Sequence, residues 1–190
     1  MFNDRFGLTD AVIDGTKTMT RRIVPKKTIK EAYVYVQKIQ GCGLDMLDYF
    51  LEHSAYKVNE IVAVAQPLMN MGYDPKDTEL RSGAIWGLDH TAAWKNKMFV
   101  FADECLHQIQ ITDVYVQHIQ SISETDCFRE GIMEYASCCE CGSEQYSFPG
   151  AKDAYYSPKE AFSTLIKSMA GEKAWDDNPY VYVYSFKLVK

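Results

Sequence analysis

Between Gly15 and Arg22 the chain reads Gly-Thr-Lys-Thr-Met-Thr-Arg-Arg, a stretch whose residue types suit chemistry better than packing. Glycine reaches positive φ at little cost, so the chain can reverse at Gly15 and present Lys17 at the mouth of the turn. If a strand starts at Thr18, side chains alternate between faces, which puts Thr18, Thr20 and Arg22 on one side and Met19 and Arg21 on the other. An amine, a hydroxyl and a guanidinium then converge on one small anionic or carbonyl-bearing ligand. A plainer reading stands beside this one: a solvated edge strand carrying ordinary basic residues.

Other residues invite chemistry more weakly. Glu130 falls at the end of a short helix, where the macrodipole disfavours a carboxylate, and an acid placed against its local preference marks a functional position. Trp86 and Trp94 can stack on a base or pack a loop onto the body of the protein. Cys138 and Cys141 form a Cys-x-x-Cys knuckle within Cys138-Cys139-Glu140-Cys141, but a zinc ribbon needs a second pair and none stands at motif spacing, so no metal and no cofactor are expected.

The elements that must position these groups follow from pattern. Leu8 to Asp14 reads as a short helix with Thr9 as N-cap, followed by a strand from Lys17 to Ile23. Pro25, Lys26, Lys27 and Lys30 read as a loop, Ala32 to Ile39 as a weakly alternating strand and Leu44 to Leu51 as a helix. Asn59 sits in a turn before the apolar run Ile61 to Ala65, the pattern of a strand buried on both faces. Residues 97–102 and 107–119 read as strands, the second alternating clearly. Ser123 caps a helix that ends at Glu130 and Gly131. Ser157-Pro158-Lys159-Glu160 opens the clearest helix, with Phe162, Leu165, Ile166 and Met169 as its apolar stripe, and Tyr180 to Val189 is a closing aromatic strand. Residues 66–94 and 134–157 read as insertions in a single domain spanning 1–190.

Composition bounds the function. At 190 residues, 47% hydrophobic, 24% charged and 13% aromatic, the chain has the make-up of a globular, strand-rich protein. Its net charge of -6 argues against holding a long duplex by phosphate attraction. Up to Lys30, however, seven Lys and Arg face three Asp, a locally basic segment suited to a small or single-stranded ligand. The amino terminus lacks the apolar core of a signal peptide and no apolar run approaches spanning length, so a cytoplasmic location and no membrane partner are expected, with the six cysteines as thiols.

The order of these elements, with Gly15, Lys17, Thr20 and Arg22 in the first motif, Val58-Asn59-Glu60 in the turn before the apolar strand and Glu130 late in the chain, resembles the ASCH domain. The opening Phe2-Asn3-Asp4-Arg5-Phe6-Gly7-Leu8 and the long insertions are similar to its phage and prophage branch. Asn59 stands where that family usually has glycine. The resemblance implies an α+β fold built on a PUA-like small β-barrel with flanking short helices. It implies binding of RNA, single-stranded or structured, or of a modified nucleoside in the barrel cleft, with Arg21, Arg22, Trp86 and Trp94 as ligand-binding candidates. One branch implies an amidohydrolase that deacylates an acylated cytidine through residues matching Lys17, Thr20 and Glu130. A third reading is an interaction module that docks a partner on its cysteine-bearing insertion.

Overall fold

The computed structural model describes residues 2, 4–38, 45–82, 86–135 and 144–190. Helix α1 (Leu8–Ile13) leads into strand β1 (Met19–Ile23), then α2 (Lys26–Lys38), α3 (Met46–Glu52) and β2 (Ile61–Val64). A segment of short turns carrying α4 (Ala92–Lys95) precedes the long strand β3 (His107–His118) and α5 (Glu124–Arg129). The hairpin β4 (Met133–Tyr135) and β5 (Gln145–Ser147), helices α6 (Pro158–Ala170) and α7 (Lys173–Asp176), and strand β6 (Tyr180–Leu188) complete the chain. Four strands pair antiparallel in the order β1-β6-β3-β2 and curl into a half-barrel, with β1 and β2 as its edges.

Side-chain parity divides the core between the two faces of this sheet. Met19, Val181 and Val183 face α5 and α6, where Cys127, Phe162 and Leu165 are buried. The opposite residues Tyr182, Tyr184, Phe186, Ile109 and Ile111 pack with Val12, Ala32 and Phe50 of the first three helices. The register Thr20 to Tyr184 and Arg22 to Tyr182 therefore places Thr20 and Arg22 on the aromatic face and leaves Arg21 on the other, as the alternation predicts.

Several elements depart from the sequence reading. The expected loop at 25–30 and the expected strand from Ala32 are one helix, α2. Burial there follows a helical spacing, with Ala32 fully buried and Ile29 partly so while Tyr33 and Val34 face solvent; a strand would have put Ala32 and Val34 on the same side. Its tyrosines mimicked alternation, and Tyr35 instead packs at 4.9 Å on Tyr49 of α3. The expected strand at 97–102 is a pair of 3-10 turns, Lys97–Phe99 and Ala102–Glu104. Side chains take its backbone groups: Asn96 accepts from the Met98 N–H and Glu104 from the Phe101 N–H.

Strand β2 is an edge rather than a doubly buried wall, and Ile61 is 57% exposed. Helix α1 is capped by Gly7, at φ 59°, not by Thr9, whose hydroxyl donates to Asp4. The turn at Asn59 does adopt positive φ, 71°. Ser123 and Ser157 accept from the Asp126 and Glu160 N–H groups as N-caps. The insertion at 66–94 has a small core of its own, Leu68, Met71, Leu88 and Ala93. No helix among the described residues is long and apolar enough to cross a membrane.

Candidate functional site

Lys17 lies before β1, so strand parity does not bind it. Gly15, at φ 77°, turns the chain, and the Lys17 and Thr16 groups close the turn on one acceptor: the Lys17 N–H at 2.8 Å and the Thr16 hydroxyl at 3.0 Å both donate to the Ala11 carbonyl. The lysine side chain is thereby aimed inward and is only 2% exposed.

It meets the end of α5. That helix closes in a Schellman motif: Gly131, at φ 100°, donates its N–H to Phe128 O at 2.9 Å, and Ile132 donates to Cys127 O at 3.1 Å. Two carbonyls of the last turn remain, and the site strand takes both. Arg129 O accepts from the Thr18 N–H at 2.9 Å, and Glu130 O accepts from Lys17 Nζ at 2.7 Å. A cation at a helix C-terminus also complements the macrodipole.

The Glu130 side chain binds two cations at once. Its Oε2 is 2.5 Å from Lys17 Nζ and its Oε1 accepts from Arg21 Nη1 at 2.9 Å. Arg21 Nη2 continues to Asp126 Oδ2 at 3.1 Å, and Arg129 joins that carboxylate to Ser185, donating to its hydroxyl at 3.1 Å. Burial lowers the Lys17 pKa from the ordinary 10.5; Glu130 opposes the shift, and the Arg22 and Arg21 charges add to it.

A cavity of about 540 Å³ opens over the β1 edge and is lined by Lys17, Thr20, Arg21, Arg22 and Glu130 together. Thr20 is 8% exposed, and no hydrogen bond joins its hydroxyl to another described residue, so its donor and acceptor capacity faces the cavity. Leu165, Ile166 and Met169 of α6 form an apolar wall, while Phe2, Asp4 and Lys97 close the remaining side. Lys97 is fixed there by the Phe2 carbonyl at 2.5 Å and Asp4 Oδ1 at 2.7 Å. Among the charged groups on this wall, Lys17, Arg21, Arg22 and Lys97 outnumber Asp4 and Glu130, which makes the cavity locally positive on an acidic protein.

The cavity therefore gathers Lys17, Thr20, Arg21, Arg22 and Glu130, but neither tryptophan lines it. Trp86 is 78% exposed, and Trp94 packs on the core of its own insertion. Cys138, Cys139 and Cys141 lie outside the described residues, among which no group of His, Cys, Asp or Glu is placed to hold a metal. Lys97 and the α6 stripe were missed as cavity residues. The stripe carries the signal of core packing alone, and Lys97 opens the segment 97–102, which reads as a strand in the sequence but folds as 3-10 turns.

No protein-family model, curated protein or solved structure matches this chain.

Proposed function

We propose that this protein binds a nucleoside, free or at an unpaired position of an RNA, in the cavity over β1, and that its curled sheet is a PUA-like barrel of the ASCH type. The observation that carries the reading is the cavity of about 540 Å³ with Lys17, Thr20, Arg22 and Glu130 on its wall. That volume falls in the range of small-ligand sites, about 300 to 1,000 Å³, and is far too small for a duplex. Lys17 and Arg22 bind the phosphate or carbonyl, Thr20 donates to or accepts from the base or sugar, and Glu130 holds the lysine in place. Titration with cytidine, cytidine 5′-monophosphate and a single-stranded oligonucleotide tests this. Binding should weaken at least tenfold in Arg22→Ala and fall with added salt for the charged ligands. Equal affinity of wild type and Arg22→Ala for all three would overturn it.

A second reading, an amidohydrolase acting on an N-acylated cytidine, is favoured by a Lys17 amine whose pKa burial lowers and a Thr20 hydroxyl that lines the same cavity. In that chemistry neutral Lys17 takes the Thr20 proton as the oxygen attacks the acyl carbon, and Arg22 steadies the oxyanion. The C–N bond then breaks and the lysine returns the proton to the leaving amine. Water hydrolyses the acyl-threonine ester, releasing the carboxylic acid and restoring the hydroxyl. Positioned acid-base groups contribute about 100- to 10,000-fold, so Lys17→Ala and Thr20→Ala should each reduce acetate release from acetylated cytidine by at least a hundredfold while the fold survives. A residual rate above a tenth of wild type in either would exclude the role.

A further inference from the structure

Around Lys97 the usual preference for burial is inverted. Met98 and Phe99 are 67% and 57% exposed, while the Lys97 side chain is only 12% exposed. A lysine is withdrawn from water to this degree mainly where its ammonium is paired. Among the described residues its partners lie at the start of the chain: the Phe2 carbonyl at 2.5 Å, Asp4 Oδ1 at 2.7 Å and the Thr9 hydroxyl at 3.4 Å. The Thr9 hydroxyl donates in turn to the same Asp4 oxygen. Lys97 lines the cavity, but its ammonium is directed at the amino-terminal segment.

What this pin fixes is Phe2. A residue so near a terminus is loose unless it is tied down, and Phe2 is tied at both ends. Lys97 holds its carbonyl, and its ring packs on Phe186 at 5.6 Å, with the planes 57° apart, and on the Arg22 guanidinium at 5.9 Å. Among the described residues that line the large cavity, Phe2 is the one aromatic. Leu165, Ile166 and Met169 add apolar lining from α6, while Lys17, Thr20 and Arg22 supply polar groups. A flat ring with a polar edge suits such a lining. Its faces lie against side chains that need no hydrogen bond, and its edge turns to Thr20 and Arg22, so that no polar atom is buried unpaired.

We infer that Phe2 is the platform on which the base of the ligand stacks, in place of Trp86 and Trp94, and that Lys97 is a positioning residue that acts through it. This rests on the nucleoside reading above for the identity of the ring. Because Phe2 is already held when the ligand arrives, binding pays little further ordering cost. Such a platform selects by ring and not by charge: a ligand that carries a base gains from it, and one that carries only sugar and phosphate does not.

The test compares cytidine 5′-monophosphate with ribose 5-phosphate by calorimetry, with thermal melts to verify that each variant is folded. A stacked base is worth about 5- to 150-fold in affinity. Phe2→Leu keeps apolar bulk but removes the π face, so it should weaken nucleotide binding at least about fivefold and leave ribose 5-phosphate unchanged. Phe2→Trp should retain nucleotide binding, and its emission should be quenched by the nucleotide beyond the quenching seen in wild type. Lys97→Met should reproduce the selective loss and Lys97→Arg should keep wild-type selectivity. The double variant of Phe2→Leu and Lys97→Met should lose no more than Phe2→Leu alone, since the pin then has no platform to hold. If Lys97→Met instead weakens both probes alike and its effect adds to that of Phe2→Leu, Lys97 is a cation for phosphate and the positioning role is wrong. If Phe2→Leu binds the nucleotide as tightly as wild type does, the platform is wrong and the nucleoside reading stands. If wild type binds neither probe, or both equally, the nucleoside reading falls and takes the platform with it.

Discussion

The Lys17 ammonium and the Glu130 carboxylate stand 113 residues apart in sequence and 2.5 Å apart in space. Both are buried, and the same lysine nitrogen also caps the main-chain carbonyl of its partner. One side chain thus closes a helix and sets the charge of a cavity.

The two ends of this pair should respond unequally to substitution. Removing one partner of a buried ion pair costs about 3 to 5 kcal/mol where the other charge is left uncompensated, and Glu130 serves two cations. Glu130→Gln should therefore lose about 3 kcal/mol. Lys17→Met fills similar volume and leaves Glu130 held by Arg21, so its cost should be about 1 kcal/mol, the typical worth of the capping hydrogen bond it gives up. Urea unfolding midpoints of the two variants decide the order, and the reverse order would show that the network is not centred on Glu130.

Lys17 should also leave a mark on the pH dependence of stability. Its folded pKa lies below the ordinary 10.5, so between the two values the unfolded chain binds the extra proton and stability rises with pH; below the folded value the burial penalty is fully present. Tyrosines act the other way at high pH, since burial pushes the Tyr182 hydroxyl up to about 12. Comparing wild type with Lys17→Met from pH 7 to 10 cancels them. The wild-type stability relative to the variant should climb toward pH 10, and a flat or falling difference would contradict the lowered amine pKa.

The half of the site that strand alternation controls was legible in the sequence: Thr20 and Arg22 share a face because β1 is regular. Lys17 was legible through Gly15, whose turn frees the lysine from that alternation. Glu130 was legible through Gly131, which ends α5 one residue later. What could not be read was any group whose place depends on distant packing. Lys97 opens a 3-10 turn where a strand is expected, and α6 offers Leu165 to the cavity and Phe162 to the core from one stripe. Helix α2 was misread because tyrosine and valine favour strands, while the burial that decided its geometry falls on Ala32 and Ile29.

Gly131 should tolerate a methyl group sterically yet resist it conformationally. An added Cβ would stand 3.7 Å from Leu8 and 3.8 Å from the Lys17 Cβ, which is ordinary contact, but φ is 100°. Gly131→Ala should cost about 1 to 2 kcal/mol from backbone strain alone, measured by thermal unfolding. A larger loss, or a shifted affinity for cavity ligands, would mean that the substitution displaces Lys17.

The buried thiols should be inert in the folded state. Burial pushes the Cys127 thiol up to about 12 and raises that of Cys105 as well. Alkylation at pH 8 followed by peptide mapping should leave both unmodified until denaturant is added. Labelling of Cys127 at the rate of a free thiol would show that α5 opens readily, and the cavity wall with it.

In sheet order, β1 is joined to β6, a strand separated from it by most of the chain, and its other edge borders the cavity. During synthesis, residues 19–23 emerge long before residues 180–188, so the nascent strand with its two arginines waits without its ladder partner. Contacts this distant in sequence slow folding, and the lysine cannot enter its buried position until both α5 and β6 are in place. A chain interrupted before residue 180 would therefore display a basic, unpaired strand rather than a cavity, which makes assembly of the pocket a late event in the maturation of the molecule.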